Sequence, residues 1–130
     1  MQADHPEGLH QAFHAFFASI PHDWHRRNDI ADYEGYWASV VYCYFAALGL
    51  TVIPEDVTNH GRIDLTILWP GRAYLLEFKV IELSGPDRAL QQIQDRRYFQ
   101  KYADQPMTLM GMEFSSVERN LVGFEWQRLV

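Results

Sequence analysis

The stretch RIDLTILWPGRAYLLEFKV, residues 62–80, alternates, turns, and alternates again. Ile63, Leu65, Ile67 and Trp69 share one face of its first half, and Tyr74, Leu76, Phe78 and Val80 one face of its second. A two-residue period is the mark of β-strands, whose successive side chains point to opposite sides. Pro70-Gly71 between the halves signals a turn, since proline presets φ and glycine tolerates a positive one. A hairpin is therefore predicted. With the turn centred on Pro70-Gly71, Trp69 pairs with Arg72, and counting back sets Asp64 directly opposite Glu77. Opposed residues in such a ladder have Cβ atoms about 4.5–5.5 Å apart. Lys79, two residues beyond Glu77, projects to the same face, leaving Ile63, Leu65, Ile67, Leu76, Phe78 and Val80 for the other.

Two carboxylates at that distance repel unless a proton or a cation compensates them. Mg²⁺ suits such a sparse oxygen set, because it keeps several waters and accepts phosphate oxygens. An ion held there would acidify a water for in-line attack on a phosphodiester, with Lys79 placed to steer that water or to stabilise the phosphorus centre. A plainer reading is also open: Lys79 could form a salt bridge to Asp64 or Glu77 across the strands.

Outward from the hairpin, helical spacing replaces alternation. Residues 7–19 place Leu9, Phe13, Phe16 and Phe17 for a first helix, ended by Ile20-Pro21. In residues 29–49, Glu34, Ala38, Val41, Phe45 and Leu48 recur on one helical face, and Gly49 suits a C-terminal cap. Glu34 heads that apolar stripe. It either meets the sheet with a partner or stays solvated in the helix's first turn, favoured there by the macrodipole. Residues 51–57 read as a short strand, 86–102 as one helix, and 107–114 and 120–126 as two closing strands. In the 86–102 helix, Gln92 and Arg96 fall on the face of Ala89, Ile93 and Phe99, where they could reach the scissile phosphate or rim the packed face. Tyr98 and Tyr102 share a second face, suited to stacking on bases or to packing against Trp126. The predicted order is α-α-β-β-β-α-β-β, a mixed sheet with helices against it.

In their order, these segments resemble the successive motifs of the PD-(D/E)XK nuclease superfamily. The matching residues are Gly61-Arg62-Ile63-Asp64-Leu65, then Leu76-Glu77-Phe78-Lys79, then Ala89-Leu90-Gln91-Gln92-Ile93 and Tyr98. Tyr33-Glu34-Gly35-Tyr36 and Leu48-Gly49-Leu50 resemble the leading helix of the branch often found C-terminal to an AAA-ATPase-like domain in bacterial proteins. The resemblance implies an α/β fold with a restriction-endonuclease-like αβββαβ core, a central mixed sheet flanked by helices. It implies that Glu34, Asp64, Glu77 and the backbone carbonyl of Phe78 hold Mg²⁺ or Mn²⁺. Lys79 would be the catalytic lysine and Gln92 its helper, with Arg62, Arg96 and Tyr98 supporting or touching nucleic acid. The expected function is a metal-dependent nuclease that hydrolyses phosphodiester bonds, with DNA as partner. A nuclease-fold module without catalysis, serving an ATPase-like partner domain or a homodimer, is the alternative.

Composition sets bounds on these readings. With 130 residues, 48% of them hydrophobic and 15% aromatic, the chain can build one well-filled core. Residues 1–28 are expected to be an N-terminal helix and connecting segment, and residues 29–130 the nuclease-like domain, packed as a single unit. Seventeen acidic against eleven basic residues give a formal charge of −6, which opposes tight autonomous binding to polyphosphates. No apolar run approaches the roughly 20 residues that span a bilayer, and no signal-peptide pattern opens the chain, so a cytoplasmic protein without membrane association is expected. Cys43, the one cysteine, sits between Tyr42 and Tyr44 and reads as core. His10 and His14 lie one helical turn apart without the glutamate of an HExxH site, and read as a solvated face.

Overall fold

A computed structural model describes residues 6–19, 34–58, 61–84 and 88–129. The side chains of Glu34 and Tyr98 lie outside the described residues, as do the expected helix end at Ile20-Pro21, residues 29–33 and Pro86. Two helices, α1 (Pro6–Ala18) and α2 (Glu34–Ala47), precede three strands, β1 (Thr51–Thr58), β2 (Gly61–Trp69) and β3 (Arg72–Val80). A short α3 (Ile81–Ser84), a helix α4 (Ala89–Arg96) and a 3₁₀ segment (Tyr98–Tyr102) follow, then β4 (Met107–Ser115) and β5 (Asn120–Leu129).

The strands form one sheet in the order β1-β2-β3-β4-β5, antiparallel except for the parallel β3–β4 pair. A parallel neighbour needs a crossover, and α3, α4 and the 3₁₀ segment supply it. The αβββαβ core expected from the resemblance is thus present as α2-β1-β2-β3-α4-β4, with β5 added at the far edge. The predicted hairpin register holds: Trp69 pairs with Arg72, and Gly71 turns with φ +82°.

Each face of the sheet has its own core. On one, Leu9, Phe13 and Phe17 of α1 and Trp37, Val41 and Phe45 of α2 pack on Leu65, Ile67, Leu76, Phe78, Val80, Met112 and Phe114. Both helices meet the sheet through residues at i, i+4 and i+8, the stripe a helix lays on a flat partner. Phe17 and Trp37 join Phe114 through aromatic contacts, with ring centroids 5.5 and 4.7 Å away. On the other face a smaller cluster of Ile63, Ala73, Leu75, Met107 and Leu109 is covered by Ile93 of α4.

Four expectations need correction. Ile63 joins the second core and not the face of Leu65, because β2 loses strict alternation at Asp64: the β1–β2 ladder skips that residue, the β2–β3 ladder stops short of it, and Glu55 beside it takes φ +50°. The helix expected over 86–102 breaks at Arg97, which adopts a left-handed φ of 55° and ψ of 34°. The break lets Lys101 and Tyr102 bond a buried carboxylate, Asp56, and that outweighs the propensity for a continuous helix. Tyr102 therefore does not pack on Trp126. Phe16, Leu48 and Cys43 are exposed, because the helices roll their Leu9–Phe13–Phe17 and Trp37–Val41–Phe45 stripes inward.

Candidate active site

The β2–β3 ladder runs from Trp69–Arg72 to Leu65–Leu76 and stops there. One step further, Asp64 Oδ2 accepts the Phe78 N–H at 2.9 Å, so a side chain replaces the missing backbone partner. Glu77 stands opposite, as the register count predicts, and its carboxyl comes within hydrogen-bonding reach of Asp64. Burial pushes the Asp64 carboxyl above the ordinary carboxylate range, against the opposing pull of the Phe78 N–H and the Glu77 hydrogen bond. Glu55 adds to the rise, and Arg62 counters it. Arg62 is exposed and pairs with Glu55 at 3.8 Å, at the outer rim and not inside the pair.

Glu77 is 4% exposed and Lys79 8%. Both lie on the α4 face, two residues apart on a strand that keeps its alternation, and Asp64 and Glu77 form a carboxyl pair there. Gln92 completes it from above: its Nε2 donates to Glu77 Oε1 at 2.6 Å. Arg96, one turn further, is exposed.

The helix can come this close because Gly111 of β4 lies directly beside Glu77 in the parallel ladder. A Cβ at Gly111 would stand 2.2 Å from Leu90 N, so the strand and helix backbones nearly touch. Next along β4, Glu113 pairs in register with Lys79 and is 6% exposed. Its Oε2 accepts the Ala89 N–H at 2.8 Å, an orphan donor of the first turn of α4. The sequence reading passed over Glu113 and Asp56. The available signal was an acidic residue inside an apolar strand, Glu113 in MTLMGMEF and Asp56 among β-branched neighbours, since acids there are seldom buried without partners.

Asp64 and Glu77 supply two carboxylates that compete for one proton, and a divalent cation satisfies such a pair as well as a proton does. Among the described residues no group of three His, Cys, Asp or Glu side chains is arranged around one point. Glu34 is the first residue of α2, on the helix that covers the opposite core, and its side chain is not described. The histidine pair stays apart from this site: His10 stacks on Phe124 at 5.1 Å, and with His14, Glu118 and Asn120 lines a separate surface depression. Among the described residues no helix is long and apolar enough to cross a membrane.

Comparison with known proteins agrees with this geometry. A protein from Azotobacter chroococcum mcd 1, described as an uncharacterized protein in the vnfD 5′ region, is 58% identical over 119 residues, 90% of this chain. The chain spans only 23% of that relative's length. The sequence model of the PD-(D/E)XK nuclease superfamily matches residues 32–124, from just before α2 into the first half of β5, and takes in Asp64, Glu77, Lys79 and Gln92. The chain belongs to the PD-(D/E)XK nuclease superfamily, and its mixed five-stranded sheet with flanking helices is the restriction-endonuclease-like fold.

Proposed function

We propose that this domain is a Mg²⁺- or Mn²⁺-dependent nuclease that hydrolyses phosphodiester bonds, with DNA as its substrate. The observation that carries the reading is the contact of two carboxyls, Asp64 and Glu77, beside a buried lysine. Asp64 and Glu77 would hold the ion, with Glu34 and the Phe78 carbonyl as further ligands. A bound divalent ion supplies charge neutralisation at the phosphate and acidifies a water. Lys79 would orient the attacking water, and its ammonium would offset the negative charge that grows on the phosphoryl oxygens. Gln92, hydrogen-bonded to Glu77, fixes the carboxylate's rotamer, and Arg62, Arg96 and Tyr98 contact the nucleic-acid backbone. The deciding experiment is cleavage of plasmid, single-stranded DNA and RNA with Mn²⁺, alongside Asp64→Asn and Lys79→Ala. Loss of cleavage in both variants, with the fold intact by circular dichroism, is expected; undiminished cleavage by both rejects the assignment.

One observation favours a second reading. A formal charge of −6 suits a docking module for an ATPase-like domain or a second copy better than an autonomous DNA binder. Isothermal titration with Mn²⁺ separates the two. Binding that Asp64→Asn abolishes supports the enzyme, and a silent titration supports the module.

A further inference from the structure

Among the described residues two carboxylates outside the reacting pair are buried, Glu113 bonded to the first residue of α4 and Asp56 to the 3₁₀ segment that follows it, on either side of Gln92. Glu113, on β4, is 6% exposed and takes the Ala89 N–H at 2.8 Å on Oε2. Arg88 approaches its Oε1 at 3.4 Å. Gly123, facing it across the β4–β5 irregularity, leaves just the space that Oε1 occupies, since a Cβ there would stand 2.2 Å away. Beyond the other end of α4, Asp56 on the edge strand β1 is 4% exposed. It accepts from Thr66 Oγ1 at 2.8 Å, Tyr102 Oη at 2.5 Å and Lys101 Nζ at 2.5 Å, and Lys101 also donates to the Val57 carbonyl at 2.8 Å.

We propose that Glu113 and Asp56 are positioning residues that pin the α4 segment at both ends over the Asp64–Glu77 pair, so that Gln92 stays on Glu77. The inference rests on the reading of that pair as the reacting site. An eight-residue helix is about 12 Å long, so one anchored end would still let its middle swing. Two anchors on the same face but on strands β4 and β1, with β2 and β3 between them, remove that freedom, and Gly111 fixes the close approach of the helix to β4. Stability alone is a poor account of these carboxylates. Apolar residues of similar volume often stabilise a core as well as buried ionic groups do. A carboxylate adds direction: it accepts a specific N–H or O–H at a fixed angle and so selects one placement of the helix.

The test uses the whole chain with Glu113→Ala, Glu113→Gln, Asp56→Asn and Tyr102→Phe. Two readouts are compared: the Gln92 side-chain amide in ¹⁵N-edited NMR, assigned with Gln92→Leu, and kcat/KM for Mn²⁺-supported cleavage. Glu113→Ala and Asp56→Asn should move the Gln92 amide toward the position of a solvent-exposed glutamine. Both should lower kcat/KM about 10- to 100-fold, the usual cost of a misplacement near 1 Å. Glu113→Gln, whose carbonyl still accepts the Ala89 N–H, should restore most of both. A lowered melting temperature with an unmoved Gln92 resonance, or Gln no better than Ala, overturns the proposal. Should Glu113→Ala fail to fold, Tyr102→Phe decides, because it deletes one hydrogen bond and keeps the ring; an unmoved resonance there also overturns it. If the wild type cleaves nothing, the resonance still tests the clamp, and only the nuclease reading falls.

Discussion

The Phe78 N–H donates to Asp64 Oδ2 at 2.9 Å, so this carboxylate closes the β2–β3 ladder while it also meets Glu77. Its amide isostere can do the first task without the repulsion of the second. Asp64→Asn keeps an oxygen for Phe78 and offers an N–H₂ to Glu77, worth about 1 kcal/mol, or roughly 3–5 °C in a domain of this size. The metal-free variant should therefore melt higher than the wild type in calorimetry; a drop of several degrees would mean that the pair is not strained. Acidity gives a second check, with opposite signs at two residues. Burial holds Asp64 above the ordinary carboxylate value, so its contribution to stability is full below pH about 4 and lost as pH rises through its raised pKa. At Asp56 burial also pushes upward, but the bonds from Lys101, Tyr102 and Thr66 outweigh it and hold the carboxyl low. Its contribution is present above pH about 4 and disappears as pH falls through that lowered pKa. Urea midpoints across pH 2–7 should show a shallower acid-side fall in Asp56→Asn and an undiminished one in Asp64→Asn. The remainder in Asp56→Asn is carried by groups such as Glu82, whose carboxyl, against the upward push of burial, is also held low by the Ser115 and Ser116 hydrogen bonds.

Among the elements, α4 is the one whose placement depends most on residues elsewhere. Its N-cap residue, Arg88, makes no side-chain capping bond, and its C-cap, Arg97, sits in the left-handed region. Gly111→Ala would drive a methyl to 2.2 Å from Leu90 N and 2.8 Å from Leu90 Cα, backbone atoms that cannot step aside without moving the helix. Overpacking of that kind costs about 1–3 kcal/mol, which chemical denaturation would detect. At the other end, a left-handed arginine gives up about 1–2 kcal/mol that glycine does not, part of which glycine loses again in the unfolded chain. Arg97→Gly should thus raise stability by about 0.5–1 kcal/mol, and a loss would point to a contact made by the arginine side chain.

For the whole molecule, the proposed divalent cation has a consequence for stability. A net −6, with the Asp64 and Glu77 carboxyls side by side, favours divalent binding to the folded state alone, because the unfolded chain does not hold that pair together. Mn²⁺ at about a hundredfold over its dissociation constant should stabilise the fold by about 2.7 kcal/mol. Differential scanning fluorimetry should record a rise in melting temperature for the wild type and none for Asp64→Asn. An equal rise in both would move the ion elsewhere, away from the carboxyl pair.

Local patterning alone determined the hairpin, its register, the placing of Asp64 beside Glu77 and the shared face of Glu77 and Lys79, because strand alternation and turn chemistry act within twenty residues. The helical stripes of α1 and α2 were legible for the same reason, through Phe13, Phe17, Val41 and Phe45. Tertiary structure decided the rest. Ile63 changes cores because the sheet is distorted at Asp64, which one ladder skips and the other does not reach. The helix over 86–102 ends early because Asp56, thirty residues or more before it, needs Lys101 and Tyr102. Glu113 and Gly111 acquire their meaning only when β4 slides in parallel beside β3, a pairing that joins distant parts of the chain. Periodicity reports which way a side chain faces; only the packed fold reports which distant group it meets there, since burial makes an unmet carboxylate too costly to leave alone.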